Sequence, residues 1–289
     1  MRQYRAEIEA GLCELQLVAP RSNLKIKSIS GGRFPIQHVA LEKLELAIKV
    51  MEDPAMARAE ADGLELLREA GLITPRVHGV FQGQDAVYLC MDYARPSSGQ
   101  VAHGSSIVEN LIRLYRNQST RWGFETSNFI GPLPQPNRYH DTFESFWLEE
   151  RINPQLKMAL SQGLLDEDFA NQLIGVTANC ISQWELNATT PRLIHGDLWS
   201  GNVLSSDQGA IFIDPSIAYA HPEQDLAMLR LFGSPLASGD FVKILSATGL
   251  PPGFDERCLF WQIYPLLVHV NIFGSSYTSQ LREAVRRYQ

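Results

Sequence analysis

Between residues 192 and 214 the chain sets three short apolar runs, Arg192-Leu-Ile194, Val203-Leu204 and Ala210-Ile-Phe-Ile213, around a polar loop and a glycine turn, in a half that otherwise reads as long helices. A β island of this kind inside a helical body serves to present its loop, here His195-Gly-Asp-Leu-Trp-Ser-Gly-Asn202. The first hundred residues have the opposite character. A helix is expected over residues 1–20, closed by Ala19-Pro20 because the residue before a proline avoids the helical region. Strand-like runs follow at 24–30, 36–41 and 45–50, with Ser30-Gly-Gly32 as a turn. Residues 54–70 predict a helix with Pro54 in its first turn and Gly71 just past its end, the usual placement of these two residues. Strands fit at 77–82 and 86–91, and Ala94-Arg-Pro-Ser-Ser-Gly99 has the composition of a linker. Beyond it helices are expected at 104–119, 141–161, 166–187, 221–232, 237–248 and 255–272, with a loop at 127–138. The expected fold is α+β and two-lobed: a small N-terminal lobe of five strands and one helix over residues 1–94, and a larger, mostly helical lobe over residues 95–289.

Composition narrows the partners. At 289 residues and 45% apolar the chain can bury a large core, and 25 basic against 32 acidic residues leave a net charge of −7. No global positive field draws in nucleic acid or anionic lipid, so an anionic ligand must be held by local groups. Apolar stretches such as Leu266–Phe273 fall short of the roughly 20 residues that span a bilayer. Glu7 and Glu9 stand where a signal peptide would be apolar. The four cysteines are spread out with no C-x-x-C pair, as suits reduced, buried thiols. The expectation is a cytoplasmic protein without nucleic-acid or membrane partners.

The polar loop carries the chemistry. Phosphoryl transfer needs a carboxylate to take the proton of a hydroxyl and oxygen donors for Mg²⁺, and an H-x-D-x-x-x-x-N run followed by an aspartate at the end of an apolar strand supplies both. Asp197 is then the candidate base, with Asn202 and Asp214 as metal ligands. Magnesium prefers hard oxygens and keeps several waters, so two protein ligands and ATP suffice. In Leu46-Ala-Ile-Lys-Val50 a lysine interrupts an apolar strand, as in the third strand of a kinase, where the ammonium meets phosphate oxygens. Helical spacing puts Met56, Glu60, Gly63 and Leu67 on one stripe of the next helix and turns Glu65 away. An inward carboxylate needs a cation, and Lys49 is the obvious one. Ser30, Gly31 and Gly32 are the candidate cover over the phosphates, because small residues let backbone N–H groups approach oxygen. Met91, Asp92 and Tyr93, at the end of the last strand before the linker, are candidates for backbone hydrogen bonds to adenine.

Several runs go beyond a generic phosphotransferase: Leu193 to Asn202, Ile213-Asp-Pro215 with His221-Pro-Glu-Gln-Asp-Leu-Ala227, Asn128-Phe-Ile-Gly131, Leu133-Pro-Gln-Pro-Asn137 and His269-Val-Asn-Ile-Phe-Gly274. On these the chain resembles the fructosamine (ketosamine) kinase family, related to aminoglycoside and choline phosphotransferases, over nearly its whole length. The resemblance implies a protein-kinase-like fold and ATP-dependent phosphorylation of the 3-hydroxyl of a ketoamine, a step that destabilises the adduct and frees the amine. The acceptor would be a small-molecule ketoamine or a glycated protein amine. Carried over residue by residue, Asp197 resembles the base, Asn202 and Asp214 the metal ligands, Lys49 and Glu60 the phosphate-positioning pair, and Trp199 a wall for the sugar ring. Asp225 is read as tying the loop together and His195 as packing or bonding backbone. Asp214-Pro-Ser216 replaces the Asp-Phe-Gly of protein kinases, and no cysteine lies in the Ser28–Gly32 loop, which argues against thiol control there. Two alternatives stay open at this point: another hydroxyl phosphotransferase of the aminoglycoside or choline type, and an ATP-binding module without activity.

Overall fold

A computed structural model describes residues 2–20, 22–29, 34–42, 44–97, 104–207 and 209–289. The chain divides into two compact units, Met1–Val101 with Leu204–Asp214, and Ala102–Val203 with Pro215–Gln289.

The first unit is built on a five-stranded antiparallel sheet from β1 (Lys25–Ile29), β2 (Ile36–Ala40), β3 (Glu45–Met51), β4 (Val77–Gln82) and β5 (Val87–Asp92), in the order β1-β2-β3-β5-β4. Alternation along β3 sorts its side chains to two faces. Leu46, Ile48 and Val50 join a cluster with Ile8 and Leu12 of α1 (Arg2–Glu14), whereas Ala47 and Met51 join one with Ala57, Ala61 and Leu64 of α2 (Pro54–Glu69). Lys49 has the parity of Ala47 and Met51, so it faces α2. Asp53 caps that helix, its carboxylate accepting the Ala55 N–H at 2.8 Å. Gly11 lets α1 close on the sheet, since a Cβ there would come within 2.1 Å of the Phe81 ring. A short hairpin, β9 (Val203–Ser206) and β10 (Gly209–Phe212), belongs to this unit from residue 204 onward. Backbone bonds hold it there: Phe212 N–H to Ile73 O at 2.9 Å and Ser97 N–H to Ser205 O at 3.0 Å.

The second unit is largely helical: α3 (Gly104–Leu114), α4 (Phe143–Phe146), α5 (Asn153–Ser161), α6 (Glu167–Gln183), α7 (Glu223–Leu231), α8 (Ser238–Thr248), α9 (Phe254–Phe273) and α10 (Thr278–Arg286). Its centre is α9, apolar on nearly every side and packed against α5, α7 and α10. An all-round apolar helix belongs in a core. The run Phe254–Arg286 is long and apolar enough to cross a membrane by length and composition, but 61% of its most apolar window is buried inside the protein. Aromatic rings of Phe143, Trp147 and Trp261 interlock at 5.5–5.6 Å in this core.

Several boundaries differ from expectation. The first helix stops at Glu14 rather than residue 20, with Gln16 in a left-handed turn. The helix expected over 104–119 ends at Leu114, and the one expected over 141–161 contains a π-helical stretch, Trp147–Ile152. The loop expected at 127–138 holds a hairpin, β6 (Asn128–Ile130) against β7 (Leu133–Gln135), turned at Gly131. The 192–214 island is no single sheet: β8 (Arg192–Ile194) pairs with β11 (Ala218–Ala220), a strand the sequence did not announce, while β9 pairs with β10.

Candidate active site

In the first unit the inward carboxylate of α2 meets the lysine of β3. Lys49 Nζ lies 2.7 Å from Glu60 Oε2 and 3.0 Å from Asp214 Oδ1, with the Phe34 ring 5.2 Å away. Lys49 is 4% exposed. Burial alone would pull its basicity down, but the two carboxylates outweigh burial and hold the ammonium above its ordinary value. Glu60 is pushed up to about 7, first by burial and further by the charge of Asp214, with Lys49 opposing both. Its second oxygen is buried without a partner among the described residues. Asp214 follows β10 with φ of +54°, a conformation costly for any residue but glycine and tolerated best by Asn and Asp. That turn carries its carboxylate to Lys49.

At the strand end, Met91, Asp92 and Tyr93 are tied into the sheet. Met91 is buried in the sheet; Asp92 N–H donates to Arg76 O and Tyr93 N–H to Glu45 O, both at 2.9 Å. Those two donors are committed within the sheet, and the first N–H beyond them is that of Ala94. The Asp92 side chain bonds His78 at 2.7 Å, and the Tyr93 ring lies 4.2 Å from His38. Ser30, Gly31 and Gly32 lie outside the described residues.

In the second unit the polar loop hangs from a buried carboxylate. Asp225, on α7, accepts the N–H groups of His195 and Gly196, each at 2.8 Å, and the Tyr115 hydroxyl at 3.2 Å. Burial raises its pKa to about 6, with the two backbone bonds and the Tyr115 hydroxyl opposing. Gly196 has φ of +83°, and a Cβ on it would sit 1.9 Å from Ser216 O, so only glycine fits. His195 is fully buried; its Nδ1 accepts the Asp197 N–H at 3.3 Å and its carbonyl the Ser216 N–H at 2.8 Å. Asn202 closes the loop, its Nδ2 donating to Asp197 O at 2.9 Å and Asp197 Oδ2 at 3.2 Å. That orientation turns the amide oxygen away from Asp197.

Behind the loop runs a buried polar chain that sequence reasoning did not identify as part of the site. Tyr264 donates to Gln135 Oε1 at 2.6 Å; Gln135 Nε2 donates to Asn128 Oδ1 at 2.8 Å and Ser216 O at 3.1 Å; Asn128 Nδ2 donates to Ile217 O at 2.8 Å. Burial holds the Tyr264 phenol protonated, and the charge of Asp197 pushes the same way. Arg151, from the π-helical stretch, donates to Pro136 O and Asn137 Oδ1, both at 2.6 Å, fastening the hairpin from its other side. The quoted runs at 128–131 and 133–137 thus support Ser216 and Ile217, and through Ser216 the His195–Gly196 backbone. Trp199 is 38% exposed, and its ring covers Gly201, whose added Cβ would come within 2.2 Å of it.

A profile described as fructosamine kinase matches residues 13–289. The chain belongs to the fructosamine kinase family. It is accordingly a phosphotransferase with an alcohol group as acceptor, in the two-lobed α+β, protein-kinase-like class. A relative from Enterococcus faecium, assigned as a ketoamine kinase, is 30% identical over 232 residues, covering 80% of this chain and 82% of its own. A crystal structure from Thermobifida fusca, assigned as a fructosamine-3-kinase, superposes with a TM-score of 0.80 at 29% identity, covering 97% and 98% of the two chains. Aminoglycoside phosphotransferase APH(4)-Ia, solved with ADP and hygromycin B, has a TM-score of 0.64 at 14% identity over 97% and 98%, a likeness of fold alone.

Proposed function

We propose that this family member transfers the γ-phosphoryl group of ATP to the 3-hydroxyl of a fructosamine or ribulosamine, a phosphorylation that destabilises the adduct and frees its amine. The observation that carries the reading is the Lys49 ammonium held between Glu60 and Asp214. Well-packed apolar side chains would stabilise such a place as well or better, so an ion pair kept there, with Asp214 in a left-handed conformation, points to phosphate chemistry. Lys49 orients phosphate oxygens, Glu60 fixes Lys49, and the segment from Met91 to Ala94 receives the adenine. Asp197 accepts the proton of the sugar hydroxyl as its oxygen bonds to phosphorus and ADP departs; Trp199 offers its face to the ring.

Each of the two proposed donors, taken in its own unit, is of the hard-oxygen kind magnesium takes. Asn202 bonds Asp197 through its NH₂ group and leaves its Oδ1 for a cation, and Asp214 engages Lys49 through Oδ1 and leaves Oδ2. When bound, Mg²⁺ would neutralise negative charge on the phosphate oxygens. The rest of the rate enhancement comes from positioning and electrostatics supplied by these side chains.

The test is ATP consumption by the purified protein with Mg²⁺, offered a fructosamine, a ribulosamine, choline and an aminoglycoside, with the new phosphate located by NMR. Turnover of the ketoamines with phosphate on O3 supports the reading. Turnover of choline or the aminoglycoside alone overturns it and moves the chain to a neighbouring acceptor class.

A further inference from the structure

Trp199 does not stand alone on the second unit. The Phe232 ring meets it nearly at right angles, 83°, with centroids 6.3 Å apart. Phe232 in turn lies 4.8 Å from His269, and His269 lies 5.4 Å from Phe273 and 4.9 Å from Tyr277. His269 and Phe273 are four residues apart on α9 and so share a face; Tyr277 closes the turn that follows. The two ends of this row are open: Trp199 is 38% and Phe273 is 58% exposed, while the rings joining them are half-buried.

The row is uncharged. None of its five residues takes part in an ion pair among the described residues. The titratable member, His269, lies 2.7 Å from Pro265 O through Nδ1. A carbonyl can only accept, so Nδ1 carries the proton, and burial lowers the basicity of the ring. A carboxylate laid on these ring faces would lose water and meet their negative π-clouds, whereas an apolar group would gain contact at no such cost.

The chemistry of the acceptor says what reaches this row. In a ketoamine the nitrogen stands three bonds from the carbon bearing the reacting hydroxyl. With that hydroxyl at Asp197 and the sugar on Trp199, the nitrogen substituent starts within reach of the rings beyond. We propose, resting on the ketoamine kinase reading, that the row Trp199–Phe232–His269–Phe273–Tyr277 seats the amine side of the substrate and selects amines bearing an aromatic or branched apolar substituent over amino acids with an anionic one. Phe273, the most open of the rings, is the principal specificity residue.

The experiment compares kcat/KM for fructosamines made from phenethylamine, methylamine and glutamate, in the intact protein and in Phe273→Ala and Phe273→Tyr. The phenethylamine adduct is expected to exceed the methylamine adduct by roughly tenfold, through KM rather than kcat, with the glutamate adduct lowest. Phe273→Ala is expected to shrink the phenethyl-to-methyl ratio several-fold and Phe273→Tyr to restore most of it. Each ratio is taken within one variant, so a change in the folded fraction cancels. Equal efficiency for all three adducts, a preference for the glutamate adduct, or a ratio unmoved by Phe273→Ala overturns the inference and leaves the kinase reading intact. Failure of every ketoamine to consume ATP overturns both.

Discussion

Asp225→Asn separates the anchoring of the 195–202 loop from its chemistry. In the native protein the carboxylate receives two backbone N–H groups at 2.8 Å, from His195 and Gly196. An asparagine has one acceptor oxygen, so one N–H is left facing an NH₂ group, a loss of about 1–3 kcal/mol for a buried donor without a partner. Against this stands relief from burying a charge. Burial raises Asp225 from an ordinary 3.8 to about 6, and that displacement corresponds to about 3 kcal/mol of stability. The sign follows from the raised value: the contribution is fully present below the unfolded pKa, near 3.8, and is lost as pH rises through about 6. At pH 8 the two effects of the substitution therefore roughly cancel. At pH 5 the native side chain is mostly protonated, and Asp225→Asn becomes more destabilising by about 1–2 kcal/mol. Urea unfolding followed by tryptophan fluorescence at pH 5, 6.5 and 8 measures this difference. A gap between the two proteins that does not change with pH would refute the argument that Asp225 is a strained, buried anchor titrating near neutrality.

Other substitutions address the remaining parts. Asp197→Asn is expected to lower kcat by roughly 10²–10⁴ with nucleotide affinity nearly unchanged, checked by steady-state kinetics and nucleotide titration. Asp214→Asn should remove the thermal shift given by MgATP while leaving the metal-free protein's melting close to native. Gly196→Ala combines a left-handed backbone with a contact of 1.9 Å to Ser216 O; a loss of about 3 kcal/mol or more by denaturant unfolding is expected, and a loss under 1 kcal/mol would show that the 216 backbone yields. Tyr264→Phe leaves Gln135 Oε1 without its donor, and a loss of about 1–3 kcal/mol with a fall in kcat is expected, measured by the same unfolding and turnover assays.

The parts of the site that were legible in the sequence are those written in local periodicity. Period two on β3 and the helical period on α2 each point one residue inward, and Lys49 and Glu60 meet because both patterns are short-range. The 195–202 loop carries its own closure, since Asn202 returns to Asp197 five residues back. What the sequence withheld depends on partners far along the chain. Pro134 breaks the alternation that would mark β7, and its hairpin is held instead by Tyr264, 129 residues from Gln135. The return of residues 204–214 to the first unit rests on backbone atoms of Ile73, Ser97, Ser205 and Phe212, which have no side-chain signature. The aromatic row was hidden for a related reason: the run His269–Gly274 stands out in the sequence, but nothing in it shows that Phe232 links His269 to Trp199.

The split make-up of the first unit bears on how the chain is made. Its sheet is complete once residue 92 has been synthesised, but its closing hairpin is not available until residue 214. At ribosomal speeds of roughly 5–20 residues per second, some six to twenty-four seconds separate the two events. During that interval Lys49 and Glu60 exist without Asp214, which lies 165 residues after the lysine. The nascent chain therefore carries this lysine and glutamate one carboxylate short while all of α3 to β8 emerges. A protein truncated anywhere in that stretch should retain the strands and lack the acid that completes the lysine's environment, so polypeptides released early would be folded in part and silent.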